Sequence, residues 1–189
     1  MDLHGWIAAD VTSVRTKLFD TVMGMVPAER WHEQADGGGS TIAGLLLHLS
    51  RHQDLALNTV LAGRAPLFAG HRGALGLAEA SPAAGLAERE SRELTTSVTT
   101  DSLTAYVTAV FDSTEAFLGG GGVDLDAVPD VDDRLRDLAA LDADEVPWLF
   151  NMWHGKPAWW LLQWPVVGHG HTHAGEAVSI RNRMGYSPF

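Results

Sequence analysis

The chain has 189 residues, of which 46% are hydrophobic and 20% charged, as expected for a single globular domain over residues 1–189. Its 24 Asp and Glu outnumber 13 Lys and Arg, and no basic stripe is visible, which argues against a nucleic-acid partner. The lack of cysteine excludes disulfides, Cys-ligated zinc and catalysis by a thiol of the chain itself.

No export or membrane signal is visible in the sequence. The opening residues MDLHGWIAAD carry neither the basic region nor the long apolar run of a signal peptide. No stretch reaches the ~18 apolar residues of a membrane span. We therefore expect a soluble, cytoplasmic protein without a membrane partner.

The first third of the chain predicts two long helices. Over residues 2–26, apolar side chains recur at steps of three and four, and Pro27 ends the pattern. A second helix is predicted over about 41–62, with Ser40 as its N-cap, an apolar side facing the core, and Gly63 closing it.

Two connections are longer than compact domains usually contain. Residues 64–100 are rich in Gly, Ala and Pro and allow a short helix near 86–94. We interpret this segment as an excursion that covers or shapes a site. Residues 123–146 carry nine Asp and Glu and predict a surface connection with a short helix near 131–141.

Two more long helices follow. One is predicted over about 102–118, with Thr100 or Asp101 as its N-cap, and is ended by the glycines at 119–122. The other runs from 157 to 184, with a proline in the first helical position, and Pro165 should kink or split it. Since no strand alternation is visible, the expected fold is all-α, an antiparallel four-helix bundle with long connections.

The segment HGHTHAGE places three histidines within five residues. On a helix, where each residue turns ~100°, His169 and His173 share one face and His171 lies on the far side. The i,i+4 pair is the spacing by which one helix offers two ligands to a metal. Glu176 lies near the same face and could orient a ring nitrogen or contact a substrate.

A third metal ligand must come from another helix. His48 lies within the apolar run LLLHL, where a histidine is either a ligand or a hydrogen-bonded core residue. His52, one turn later, is a rival candidate. Its polar neighbours favour a position at the rim or in solvent (Arg51, Gln53, Asp54).

Three features surround the histidine motif. Its glycines predict close packing at a helix crossing, since each costs a helix up to ~1 kcal/mol (Gly168, Gly170, Gly175). Five of the seven tryptophans fall within seventeen positions and could line a pocket or fill the core (Trp148, Trp153, Trp159, Trp160, Trp164). His154 and Lys156 could contact an anionic substrate, or lie solvated in a loop.

The segments STIAGLLLHLSRHQD and HGHTHAGEAVSIRNRMG resemble the two motifs of the DinB/YfiT-like superfamily of bacterial four-helix-bundle metalloproteins. That group includes the N-terminal domains of mycothiol-dependent maleylpyruvate isomerases and related thiol S-transferases. The resemblance extends over roughly 1–185 and implies a divalent metal held by His48, His169 and His173. Glu176 stands where the family more commonly has Gln.

Three neutral imidazoles would leave one position open on zinc, with nickel, iron or copper as alternatives. A thiol arriving there becomes a nucleophilic thiolate, whereas water becomes a hydrolytic nucleophile. The resemblance implies mycothiol-type S-transfer or isomerisation, with a small-molecule electrophile or thiol as partner. A metal-dependent hydrolase and a non-enzymatic metal-binding stress protein are the alternatives, and a homodimer through apolar helix faces stays open.

Overall fold

The computed structural model describes residues 3–120 and 123–189 and is all-α, with no strand among these residues. No described helix is long and apolar enough to cross a membrane. The predicted helix start at residue 2 and the glycines at 121 and 122 lie outside the described residues. The helices are α1 (Leu3–Leu18), α2 (Ile42–Asp54), α3 (Leu67–His71), α4 (Glu88–Leu94), α5 (Thr100–Gly119), α6 (Val131–Ala139), α7 (Pro147–Trp153), α8 (Ala158–Leu161) and α9 (His169–Arg183).

Wider π-helical turns extend or join the long helices. Phe19–Met23 continues α1, Leu55–Leu61 continues α2, and Leu162–Gly168 joins α8 to α9. Pro165, predicted to kink or split the last helix, lies within this π-helical segment and offers no backbone N–H to an α-helical ladder. The α-helical winding is therefore interrupted there, although the chain remains helical from Ala158 to Arg183. Short 3₁₀ turns lie at Ala28–Arg30, Ala35–Gly37 and Thr95–Ser97.

The second long helix is buried on every side. All residues from 42 to 60 are buried, although the apolar pattern predicts only one buried side. The reason is tertiary: α4, α5 and α9 pack around α2, and α6 packs on its π-helical extension. Thr41, rather than Ser40, is the N-cap, and its Oγ1 accepts a hydrogen bond from the Gly44 N–H at 3.0 Å.

The excursion after α2 is tied down by buried polar side chains of α2. The Asp54 carboxylate accepts hydrogen bonds from the backbone N–H groups of Leu67 and Phe68, both at 2.9 Å, and so caps α3. Arg51 donates to the Ala84 carbonyl at 2.9 Å and lies 3.7 Å from the centre of the Phe68 ring. These contacts hold residues 67–86 against the same helix that carries His48.

Two other predicted boundaries are wrong by one or two residues. The helix predicted over 102–118 begins at Thr100, and Thr99 is its N-cap, with its Oγ1 accepting from the Ser102 N–H. Pro157 is the residue before α8 rather than its first residue, because its extended ψ of 162° precedes the helical turn.

The close crossing of α1 and α9 depends on glycine at position 170. A Cβ at Gly170 would lie 3.1 Å from Cγ1 of the buried Val14, so the two helices approach as closely as glycine allows. The predicted close packing therefore holds at Gly170. It is wrong for Gly175, where a Cβ would meet nothing within 4 Å. At Gly168 the restriction is local, since a Cβ would meet the Trp164 ring at 3.1 Å.

We predict that two Gly→Ala substitutions in α9 have different effects. Gly175→Ala should raise the free energy of unfolding by about 0.5–1 kcal/mol, because alanine is the better helix former and the site is open. Gly170→Ala should leave it unchanged or lower, since the contact with Val14 cancels that gain. Urea unfolding of both variants checks this, and equal stabilisation by both would contradict it.

Candidate metal centre

Three imidazoles from two helices meet at one point. The Nε2 atom of His169 lies 3.2 Å from Nε2 of His48 on α2 and 3.1 Å from Nε2 of His173, one turn along α9. A tetrahedral zinc with Zn–N bonds of ~2.0–2.1 Å needs nitrogens about 3.3 Å apart. The observed spacing is close to that value, so the cluster could hold a metal ion.

The outer nitrogens of the rings define where the lone pairs point. Nδ1 of His173 lies 3.2 Å from Oε2 of Glu176, and Nδ1 of His48 faces the Gly85 carbonyl at 3.4 Å. Because carboxylate and carbonyl oxygens only accept hydrogen bonds, both Nδ1 atoms carry the hydrogen. Both Nε2 atoms therefore present lone pairs to His169, whose single Nε2 can donate to one of them at most.

Burial favours the uncharged form of His48, His52 and His169. Desolvation, followed by repulsion from His173, lowers the pKa of His48 to about 4. Desolvation and repulsion from His48 lower the pKa of His52 to about 3, and the pKa of His169 falls furthest, again mainly through burial. The neutral imidazole is the form that binds metals, so the cluster is ready to accept a cation at neutral pH.

Two carboxylates lie on the outer side of His173. Ligand atoms of Glu88, His173 and Glu176 lie within 4.8 Å of one another. Glu176 is placed as the sequence predicts, where a carboxylate fixes the ring and raises the basicity of the opposite nitrogen. Glu88, the first residue of α4, is missed by the sequence, since the weakly patterned excursion carries no signal that α4 packs here.

The placement of His52 at the rim or in solvent is wrong. Its side chain is buried, and its Nε2 lies 3.0 Å from the Leu86 carbonyl, to which it donates. The ring is 4.7 Å from that of His48 and 4.5 Å from that of His169, centre to centre. The polar neighbours of His52 are buried as well, because the excursion covers this side of α2, so His52 is a neighbour of the cluster with one nitrogen already engaged.

His171 lies apart from the cluster, as the helical geometry predicts. Its Nε2 is 3.8 Å from Oδ1 of Asp10 on α1. Of the three histidines in the segment HGHTHAGE, two therefore face α2 and one faces α1.

An apolar cavity of about 210 Å³ adjoins the cluster. It reaches the rings of His48 and His169, and Leu86 shows that the excursion does help to shape it. The imidazole of His52 and five aromatic or other apolar side chains complete its walls (Trp148, Met152, Trp153, Trp164, Pro165).

The predicted pocket residues divide between this cavity and other places. Trp148, Trp153 and Trp164 line it, but Trp159 lines a separate groove beside Trp6. The other candidates lie elsewhere: Trp160 lies under the Lys156 ammonium, and His154 pairs with Asp132 at 3.0 Å. A wider groove between α1 and the C-terminal residues contains no histidine. The cavity lined by Trp148, Trp153 and Trp164 is thus the one of these three that adjoins the imidazole cluster.

We predict that acid destabilises the metal-free protein between about pH 6.5 and 4. The unfolded chain binds protons at its histidines near the ordinary pKa of 6.5, whereas folded His48 does so only near 4 and His52 near 3. Stability is therefore fully present above pH 6.5 and is lost as the pH falls through this window. Urea midpoints measured with a chelator across the window test this.

The variant that locates this effect is His52→Gln. Removing the buried ring should lower the number of protons taken up on unfolding within this window by about one, and with it the slope of stability against pH. The same slope in the wild type and the variant would contradict the assignment.

No protein-family model, curated protein or solved structure matches the chain. The resemblance to the DinB/YfiT-like superfamily therefore rests on the two short motifs and their order in the chain. The chemistry of this protein has to be inferred from the geometry of the imidazole cluster and its cavity.

Proposed function

We propose that this protein is a divalent-metal-dependent enzyme of the DinB/YfiT-like type, which activates a low-molecular-weight thiol for S-transfer or isomerisation. The observation that carries the proposal is the meeting of three Nε2 atoms, with that of His169 lying 3.2 and 3.1 Å from those of His48 and His173. Because His169 can donate a hydrogen bond to one of the other two at most, at least one contact lacks a hydrogen, and a shared cation would satisfy all three nitrogens.

The helix contacts support the bundle that this family implies. The helix α1 contacts α5 and α9, and α2 contacts the same two helices, so the four long helices form a closed ring of neighbours. We propose that this is an antiparallel four-helix bundle, with α3, α4, α6 and α7 in the connections. Metal sites in such bundles are built from side chains on facing helices, as His48 faces α9 here.

The roles of the residues follow from their positions. His48, His169 and His173 would hold a divalent cation, which would lower the pKa of an arriving thiol and stabilise its thiolate. Glu176 holds His173 in the tautomer that binds metal through Nε2. In S-transfer, the sulfur of such a thiol would form a bond to the electrophilic carbon, the leaving group would depart with its bonding electrons, and the thiol proton would pass to solvent.

Thiol transfer is favoured over hydrolysis by the lining of the cavity. The lining residues include no Asp, Glu or Lys, so a carboxylate base for water would have to act from outside the cavity, where Glu88 and Glu176 lie on the far side of His173. The chain also has no cysteine, which means that a nucleophilic sulfur must arrive from outside. A cytoplasmic location, where low-molecular-weight thiols are kept reduced, is part of the proposal.

We predict that the purified protein binds one divalent ion and that this depends on His169 but not on His171. His169→Ala should weaken cobalt or zinc binding by about 100-fold or more, because two imidazoles remain. His171→Ala is the matched control, two residues away and facing α1. Calorimetry and elemental analysis measure both, and equal affinities in the two variants would reject the three-imidazole site.

We also predict that the zinc-loaded protein binds mycothiol or bacillithiol and turns over electrophiles only when a thiol is present. Calorimetry measures binding, and a panel of electrophiles and esters measures turnover. Hydrolysis of esters without added thiol would favour the hydrolase alternative. Metal binding without any thiol binding or turnover would favour a non-enzymatic metal-binding protein.

A further inference from the structure

We infer that the cavity beside the imidazole cluster selects a compact, uncharged aromatic group on the molecule that reacts there. That this group belongs to a reacting substrate rests on the proposed function. The binding preference itself rests on the cavity alone, which is built from the side chains of the chain and needs no cation.

The chemistry of the lining excludes charged ligands. Nine residues line the cavity, and apart from its three imidazoles they are Leu, Met, Pro and three Trp. No Lys, Arg, Asp or Glu lines the cavity, so neither a carboxylate nor an ammonium group meets an opposite charge among the lining side chains. A charged group entering here would lose hydration without gaining a charged partner.

The size of the cavity limits the ligand to about one ring. Its volume is about 210 Å³, whereas an apolar cavity of about 150 Å³ already accepts benzene. Sites for drug-sized molecules begin at about 300 Å³. A ring with a short linker therefore fits, and the sugar portion of a large thiol would have to remain outside.

Aromatic rings continue from the mouth of the cavity to the cluster. Trp148 and Trp164 at the mouth are 38% and 39% exposed, so a ligand can reach them from solvent. The Trp148 ring lies 5.7 Å from that of His52, which lies 4.5 Å from that of His169. These spacings are those of stacked and edge-to-face aromatic pairs, which favours a flat ring as the guest.

The position of the cavity places such a ring beside the reacting atoms. His48 and His169 line the cavity and also contribute two of the three converging Nε2 atoms, whereas His173 lies behind them. A substituent on a ring seated between the tryptophans would therefore point toward the edge of the cluster that those two imidazoles form.

The test uses metal-free protein, with benzyl alcohol as the neutral probe and benzoate as its charged counterpart. Binding is read from the ¹H–¹⁵N signals of the tryptophan side chains. Benzyl alcohol should shift the signals of Trp148, Trp153 and Trp164 and bind about tenfold more tightly than benzoate, a difference of ~1.4 kcal/mol. Equal affinities, or shifts confined to other tryptophans, would overturn the inference.

Matched variants locate the binding. Trp148→Ala and Trp164→Ala, both at the mouth and therefore tolerant of change, should each weaken benzyl alcohol binding about tenfold. Trp159→Ala is the control, since Trp159 is comparably exposed but lines a different groove. A loss of binding in the control as large as in the two variants would also overturn the inference.

A second arm separates this inference from the proposed function. In cobalt-loaded protein, benzyl mercaptan should produce the sulfur-to-cobalt absorption band at about tenfold lower concentration than 2-mercaptoethanol. If both thiols bind equally and benzyl alcohol shows no preference, the inference fails and thiol activation stands. If no thiol produces the band but benzyl alcohol still binds as expected, thiol activation fails and the cavity assignment stands.

Discussion

The site depends on the complete burial of α2. On a helix with one solvent-exposed side, an exposed His48 ring would keep its ordinary pKa. Here desolvation lowers the pKa of His48 to about 4. The same burial favours partners within the protein for the polar side chains of the helix. Asp54 caps α3, and His52 donates to Leu86, so the residues that cover the helix are fixed by its own polar groups. Desolvation and positioning of the imidazoles thus have a single structural cause.

The excursion from residue 64 to 100 is a structural part of the site. Gly85 adopts φ +82°, a conformation that favours glycine, and a Cβ there would lie 3.1 Å from the Arg51 side chain. This lets the Gly85 carbonyl face Nδ1 of His48 and define its tautomer. Glu88 follows three residues later and adds a carboxylate near His173. A segment with little helical periodicity therefore supplies the outer partner of His48 and a second carboxylate near His173.

The sequence predicts the parts of this site that depend on local periodicity. The i,i+4 spacing identifies His169 and His173, the apolar run points to His48, and the helical turn excludes His171. The burial of His52 and the role of Glu88 depend on contacts with the excursion, and nothing in the local pattern encodes them. For the same reason the sequence cannot tell which of the five tryptophans reach the cavity, since that depends on how α7 and the π-helical segment pack.

The π-helical turn at Leu162–Gly168 has a consequence for the rings that follow it. In an α-helix, two residues five positions apart point in directions about 140° different. In a π-helix, a backbone hydrogen bond joins residues i and i+5 and brings them closer to the same side of the helix. Here the backbone N–H of His169 donates to the carbonyl of Trp164. Their rings lie 6.2 Å apart as a result. The π-helical turn thus brings the indole of Trp164 to the same side of the helix as the imidazole of His169.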